Sequence, residues 1–316
     1  MNFTTKIPIS KSNSLIDYSS NIMSLGSCFA VSMAEKFDYY KFQNTCNPFG
    51  ILFNPLAIEK IISKALNLSF FTEEDVFFHN ERWHCFDVHS DLSNPNKEEF
   101  LQVLNGFIKA TSKHITEVSH IIITYGTSWV YRNKQTEKVV ANCHKVPQNQ
   151  FDKEILSVAT IEKSIQNTIA LIEKINPKCA IIFTVSPVRH IKDGFSGNQR
   201  SKANLISALH STLDIQSSTK RYFPSYEIMM DELRDYRFYT EDMLHPTQVA
   251  IDYIWERFYV SSISENAYIT MNAVETIQKG MSHFPFNPNS ESHLKFIKQL
   301  KFKISELKVE FPLMNF

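Results

Sequence analysis

Apolar residues follow two patterns along the chain. Mostly apolar runs at 21–25, 118–125 and 179–185 have the length of buried strands, and each of them ends at a glycine or a Ser-Pro pair. Other segments, such as 55–66 and 161–175, repeat apolar residues every three or four positions, which is typical of helices. Strands that alternate with helices predict a mostly parallel sheet with helices on both faces, a three-layer α/β/α arrangement. In such sheets ligands bind at the carboxyl edge of the strands.

The C-terminal part of the chain has a different character. Four apolar residues between positions 297 and 307 share one helical face, and lysines occupy other positions. We interpret this segment as a packing helix with a solvated basic face, in preference to a helix that binds a membrane or a partner. The sequence therefore predicts an α/β/α domain at residues 1–260 and a helical C-terminal extension at residues 261–316.

Composition argues against several classes of protein. The 33 basic and 33 acidic residues give a formal net charge of zero, which disfavours binding to nucleic acid through a global basic field. The apolar runs are far shorter than the roughly 20 residues of a membrane span, and the opening residues lack a secretory signal. Five cysteines without a CxxC pair predict neither a disulfide framework nor a structural zinc site. We therefore expect a cytoplasmic protein with reduced thiols.

The first candidate for chemistry follows the first predicted strand. Gly26 permits a tight turn there, and Ser27 stands at the start of a helix predicted over 27–40. An unpaired backbone N–H and the positive end of the helix would favour a developing oxyanion at that position. Ser27 is therefore a candidate nucleophile, although the position also suits an ordinary helix N-cap. The neighbouring Cys28 is interpreted as a core residue.

The second candidate is the string Asp242-Met243-Leu244-His245-Pro246. Pro246 favours the first position of a helix, which places Asp242 and His245 together in the preceding loop. A serine hydroxyl is a weak nucleophile at neutral pH and needs a base, and a carboxylate fixes the tautomer of an imidazole base. The same spacing on its own also suits a capping or core histidine.

Several strings in this sequence resemble a known family. Gly26-Ser27-Cys28-Phe29-Ala30 looks like the name-giving motif of the GSCFA-domain family, and segments 47–55, 141–147 and 186–190 are similar to the same family. The Gly-Ser after a first strand and the Asp-x-x-His before a late helix resemble the wider SGNH/GDSL hydrolase superfamily. The resemblance runs from about residue 23 to about residue 258. It implies a flavodoxin-like fold of SGNH type.

The resemblance also implies a role for each matching residue. Ser27 corresponds to the superfamily nucleophile, and Asp242 and His245 correspond to its acid–base pair. Gly50 corresponds to the glycine whose backbone N–H joins that of Ser27 in the oxyanion hole.

One oxyanion donor departs from the superfamily pattern. The superfamily usually has an asparagine in a Gly-x-Asn-Asp string, where this chain reads Gly126-Thr127-Ser128-Trp129. We place Ser128 in the oxyanion hole and Thr127 and Asn142 in the substrate pocket, and either of these two is an alternative donor. Loss of one donor typically costs about 2.7–4 kcal/mol of transition-state stabilisation, so without a replacement donor we expect a lower rate or no activity.

Histidines and acidic residues crowd into segment 79–89, which suggests a metal site as one hypothesis. Alternation along a strand would put Cys85, Asp87 and His89 on one face. No recognised metal-binding spacing is present, so we interpret these as ordinary polar strand residues. The resemblance includes His89-Ser90, which places His89 in the substrate pocket. Three basic residues either hold an anionic or carbonyl-bearing substrate or form surface ion pairs: Lys145, Arg189 and His190.

Together, the sequence and the resemblance predict a serine esterase. Ser27 would form a covalent acyl-enzyme from an acyl ester, an acetyl ester among others, of a small molecule or a glycan. His245 would transfer the proton, and the scheme requires no metal or organic cofactor. Two alternatives stay open: acyl transfer to a sugar or lipid acceptor, and a ligand-binding protein that keeps the fold without efficient chemistry.

Overall fold

The computed structural model describes residues 4–213 and 219–316. Its strands are β1 Asn21–Gly26, β2 Gln43–Cys46, β3 Val76–His79, β4 Arg82–Cys85, β5 His120–Tyr125, β6 Trp129–Asn133, β7 Val139–Val140, β8 Phe151–Ile155, β9 Ala180–Val185 and β10 Lys220–Phe223. Its longer helices are α1 Cys28–Tyr39, α2 Pro55–Leu66, α3 Lys97–Glu117, α4 Val158–Ile175, α5 Gly194–Leu213, α6 Gln248–Ser262, α7 Ala267–Met281 and α8 Glu291–Glu310.

The central sheet has the strand order β10-β9-β5-β1-β2, and all its strand pairs are parallel. All six residues of β5 and of β9 are buried, which explains why their sequences are mostly apolar. The strand that the sequence predicts from Val118 begins two residues later, because Val118 is the C-cap of α3.

Alternate residues of the sheet face two different helical layers. Ile121 and Ile123 join a core that also contains buried side chains of α2, α3, α4 and α5. Ile122 joins a second core, formed with side chains of α1 and α6. The predicted α/β fold, a parallel sheet with helices on both faces, is thereby confirmed.

Two small antiparallel sheets stand apart from the central sheet, a β3–β4 hairpin and the sheet β7-β6-β8. The prediction that Cys85, Asp87 and His89 share one face of a strand is wrong. The strand ends at Cys85, and His89 is the N-cap of a short 3₁₀ turn. Side chains share a face at every second residue only while the chain remains extended.

The C-terminal region is helical, as predicted. Val274 and Ile277 of α7 pack with Leu300 and Leu307 of α8 in a separate apolar cluster. The lysines of α8 are exposed, so its basic side is a solvated face. Across residues 4–213 and 219–316, none of the helices combines the length and the apolar content that crossing a membrane requires.

Candidate active site

Ser27 lies between the end of β1 and the first turn of α1, as the sequence predicts. Gly26 makes this turn possible, since its φ is +130° and a Cβ there would lie 2.1 Å from the carbonyl oxygen of Thr124. Ser27 occupies the N-cap position of α1, but its side chain makes no capping hydrogen bond. Its hydroxyl oxygen is buried and has no hydrogen-bond partner among the described residues. Helix capping therefore does not account for this hydroxyl.

The expectation of free oxyanion donors is not met in this structure. The Ser27 N–H donates to Thr124 O at 3.0 Å, because the turn at Gly26 keeps it within reach of β5. The Gly50 N–H donates to Asn47 O at 2.8 Å and closes a tight turn. Both groups are already satisfied, so an oxyanion hole at this place is not preformed.

The proposed third donor, Ser128, is engaged as well. Its N–H donates to Ser201 Oγ at 2.8 Å, and its hydroxyl donates to Ser201 O at 3.2 Å. Thr127 is also engaged, since its Oγ1 lies 2.9 Å from Ser201 Oγ. Asn142 Oδ1 accepts from the His144 N–H at 2.8 Å, a bond that does not use the donor group of this amide. Ser201 on α5 thus fixes the loop that follows β5, and Ser128 is a structural residue in this conformation.

His89 packs directly on the Gly50 turn. A Cβ at Gly50 would lie 2.3 Å from the Cβ of His89, and the His89 N–H donates to Phe49 O at 3.0 Å. The imidazole Nδ1 lies 3.1 Å from a carboxylate oxygen of Asp91. The structure therefore brings His89 to the Gly50 turn, where its bulk explains why position 50 is glycine.

Asp242 holds His245 from several directions. Its Oδ1 accepts hydrogen bonds from the Thr240 hydroxyl at 2.8 Å and from the backbone N–H groups of Leu244 and His245 at 2.8 and 2.9 Å. Its Oδ2 lies 2.5 Å from His245 Nδ1. Hydrogen bonds from the backbone and side chain of His245 hold the pKa of Asp242 well below its usual range. The ionised carboxylate places the proton on Nδ1 and leaves Nε2 as a proton acceptor.

The helix after this loop begins later than predicted. Thr247 is the N-cap of α6, its side chain accepts from the Ala250 N–H, and the helix starts at Gln248. Pro246 therefore precedes the cap instead of occupying the first helical position. Asp242 and His245 still lie in the loop that enters α6.

A chain of contacts connects this loop with Ser27. The His190 ring packs edge-to-face on His245 and on Phe53, with centroid distances of 5.9 Å in both cases. A Cβ at Gly126 would lie 3.0 Å from Phe53 Cδ1 and 3.2 Å from Ser27 Cβ. Ser27 and His245 therefore lie at the same edge of the sheet. Within the described residues, no hydrogen bond joins them.

Lys202 is the site residue that the sequence analysis missed. It is fully buried, and its ammonium donates to Gly126 O at 2.8 Å and to Ser186 O at 2.7 Å, where β5 and β9 end. No carboxylate forms an ion pair with it in the described part of the chain. Burial lowers the pKa of Lys202 to about 7. The available signal was its spacing, because Lys202 recurs with buried Asn198, Leu205 and Leu209 on one face of α5.

The other histidines of the crowded segment serve a buried structural cluster. His84 Nδ1 lies 2.7 Å from Ser93 Oγ and 3.2 Å from His144 Nδ1. His144 Nε2 lies 2.6 Å from Cys85 O. Asp87 instead pairs with Lys60 at 2.5 Å. The two imidazoles therefore contact each other, and Asp87 has a different partner.

Comparison with known proteins identifies the family. No curated protein matches the chain. A model described as the GSCFA family matches residues 21–258, which include Ser27, Gly50, Asp242 and His245. A second model, described as the C-terminal domain of GSCFA domain proteins, matches residues 274–316. Because the first match covers well over half of the chain, this protein belongs to the GSCFA family.

Proposed function

We propose that this protein is a serine ester hydrolase of SGNH/GDSL type. The observation that carries the proposal is the Asp242–His245 pair, whose carboxylate receives three further hydrogen bonds and holds Nδ1 of the imidazole, so that Nε2 is left without this partner. This pair lies at the same sheet edge as a serine hydroxyl that no capping interaction uses. A serine, an imidazole and an orienting carboxylate are the groups that acyl transfer requires.

In this scheme Ser27 Oγ attacks the ester carbonyl carbon, and His245 Nε2 takes the hydroxyl proton. The bond to the leaving oxygen then breaks as His245 returns the proton to it, and water releases the acyl group from Ser27 by the same steps in reverse. Asp242 stabilises the imidazolium that forms. We place the reaction on small-molecule or glycan acyl esters in the cytoplasm.

The scheme requires a conformational change before reaction. Ser27 Oγ is buried, and the N–H groups of Ser27 and Gly50 are bonded to Thr124 and Asn47. Substrate binding would have to open the Gly50 turn and expose the hydroxyl, so that these N–H groups face the developing oxyanion.

A fluorophosphonate probe tests the proposal, because it phosphonylates serines that an adjacent base activates. We expect one adduct, at Ser27, identified by peptide mass spectrometry. Ser27→Ala should abolish it, and His245→Gln should slow it by about 10³-fold or more. Ser292→Ala and His283→Gln change exposed residues and are matched controls that should label at the wild-type rate. Labelling that persists in Ser27→Ala would contradict the assignment.

Two observations favour a second candidate, a binding protein that retains the fold without efficient chemistry. The N–H groups of Ser27 and Gly50 are already hydrogen-bonded, and the Ser27 hydroxyl is buried. Such a protein would resist the probe at all concentrations and would still bind a ligand reversibly. An ester panel that gives no turnover, together with a saturable shift in melting temperature by one panel member, would support this candidate.

A further inference from the structure

A small cavity adjoins the Asp242–His245 loop. Its volume is about 160 Å³, and residues from three segments line it: 189–195, 229–239 and 243–244. We call it the Arg189 pocket. Two of its lining residues directly precede the imidazoles of the site, since Leu244 comes before His245 and Arg189 comes before His190. The pocket therefore adjoins the two loops that carry the imidazoles, while the imidazoles themselves are not among its lining residues.

Most of the lining is apolar and part of it is unusually exposed. Met229 is fully buried, whereas Phe195, Tyr236 and Met243 expose 65%, 70% and 51% of their surface. Large apolar side chains that face solvent around a cavity commonly mark a ligand site. At about 30 Å³ per water-sized group, the cavity accommodates about five non-hydrogen groups. Its occupant is therefore short.

Arg189 supplies the less exposed of the two positive charges in the pocket, since Arg234 also lines it but is exposed to solvent. The Arg189 side chain is half-buried, its guanidinium lies 5.9 Å from the centre of the Phe195 ring, and its Nε donates to Asn198 Oδ1 at a long 3.5 Å. No carboxylate of the described residues forms an ion pair with it. Asp235 also lines the cavity, but its Oδ1 accepts from the Arg237 N–H at 2.9 Å. A hydrocarbon chain alone would cover the guanidinium and leave it without a partner, whereas a carboxylate would pair with it.

The side of the site on which the pocket lies indicates which part of an ester it holds. In the proposed reaction His245 returns the proton to the leaving oxygen, so the alcohol part of the substrate lies next to His245. The acyl part remains on Ser27, at the end of β1. Since Leu244 and Arg189 line the pocket and no residue of the Ser27 turn does, we assign the pocket to the leaving-group side.

We infer that the Arg189 pocket binds the alcohol part of the substrate, a short hydroxy acid whose carboxylate pairs with the Arg189 guanidinium. The inference rests on the proposed ester hydrolysis and names its substrate class. Hydrolysis then consumes one ester and one water and releases the acyl acid and the hydroxy acid.

Two esters of matched length test the inference, anionic 4-acetoxybutyrate and neutral butyl acetate. We expect the wild type to prefer the anion in kcat/KM by about tenfold or more. Arg189→Met should lower kcat/KM for the anion by about 10- to 100-fold and lower it much less for the neutral ester, so that the preference for the anion is lost, and Arg189→Lys should keep part of the preference. Arg200→Met removes an exposed arginine outside the pocket and should change neither value. Equal kcat/KM for both esters in all variants would overturn the inference and leave the hydrolase assignment intact.

Binding to a variant without the nucleophile separates the two proposals. In Ser27→Ala, saturation-transfer NMR should show contact with 4-acetoxybutyrate, and adding Arg189→Met should abolish it. If the wild type hydrolyses neither ester but Ser27→Ala still binds the anion through Arg189, the result supports the pocket and contradicts the hydrolase proposal. Lack of binding that depends on Arg189, in variants with wild-type circular dichroism spectra, would end the inference itself.

Discussion

Lys202 of α5 donates from a fully buried ammonium to the carbonyl oxygen of Gly126, 2.8 Å away at the end of β5. Its second bond, to Ser186 O, joins the end of β9 to the same side chain. One cation therefore fixes the relative positions of two strand-end loops, one of which packs against Ser27. A buried cation without a carboxylate is costly, so this arrangement has consequences that depend on pH.

We predict that the stability of the protein rises with pH from about 7 upward in a way that depends on Lys202. Burial lowers the folded-state pKa of Lys202 to about 7 from its ordinary value of 10.5, so the unfolded chain binds this proton more tightly. Between those two pH values the free energy of unfolding should increase with pH, by at most about 1.4 kcal/mol per pH unit from this group. Urea unfolding at pH 7, 8 and 9 measures the slope.

Lys202→Met should remove this part of the slope, whatever its effect on stability at a single pH. Lys298→Met changes an exposed lysine of α8 and should retain the wild-type slope. Identical slopes in the wild type and Lys202→Met would show that the buried group does not titrate in this range.

Burial of His144 predicts that the protein loses stability at acidic pH. Burial is the main cause that lowers the pKa of His144 to about 4 from 6.5. The unfolded chain therefore takes up the proton first, and stability should fall as the pH drops from about 6.5 to about 4. Thermal melting of the wild type and His144→Phe should show a shallower decline in the variant, with His283→Phe as the exposed control. An unchanged decline would assign the acid sensitivity to other groups.

The turn at Gly26 should tolerate no side chain. Gly26→Ala would force a Cβ to within 2.1 Å of Thr124 O at a φ of +130°, and we expect a loss of about 3 kcal/mol or more in the free energy of unfolding. Gly106 in α3 has open space around its Cα, so Gly106→Ala should instead stabilise the protein by about 0.5–1 kcal/mol. Chemical denaturation compares the two. Equal effects would mean that the turn relaxes to admit the methyl group.

Asp242→Asn should impair reactivity far more than stability. The amide cannot hold the imidazole in the tautomer that leaves Nε2 free, and the corresponding loss in serine hydrolases is about 10⁴-fold. We expect the rate of fluorophosphonate labelling at Ser27 to fall by a similar factor, with a melting temperature close to that of the wild type because the pair is largely exposed. Asp252→Asn, also exposed, is the control. A labelling rate in Asp242→Asn equal to that of the wild type would exclude the proposed role of the carboxylate.

Much of the fold was predictable because its signals are local. The apolar run before Gly126 indicates a strand buried on both faces, and β5 is such a strand. The helix predicted over 55–66 has those bounds in the structure. The short strands β2, β3, β6, β7, β8 and β10 escaped prediction, since segments of two to five residues carry too little periodicity.

The sequence by itself determined the three buried strands, helices such as α2, and the Asp242–His245 contact, because residues only three positions apart in one loop are close in any compact conformation. Only the tertiary structure decided that Ser27 Oγ is buried, that the Ser27 N–H is bonded to Thr124, and that Lys202 lies beneath Gly126. Those partners are about 76 to 97 positions apart in the chain. Their pairing depends on strand register and on how α5 packs against the sheet, which residue patterns within one element do not report.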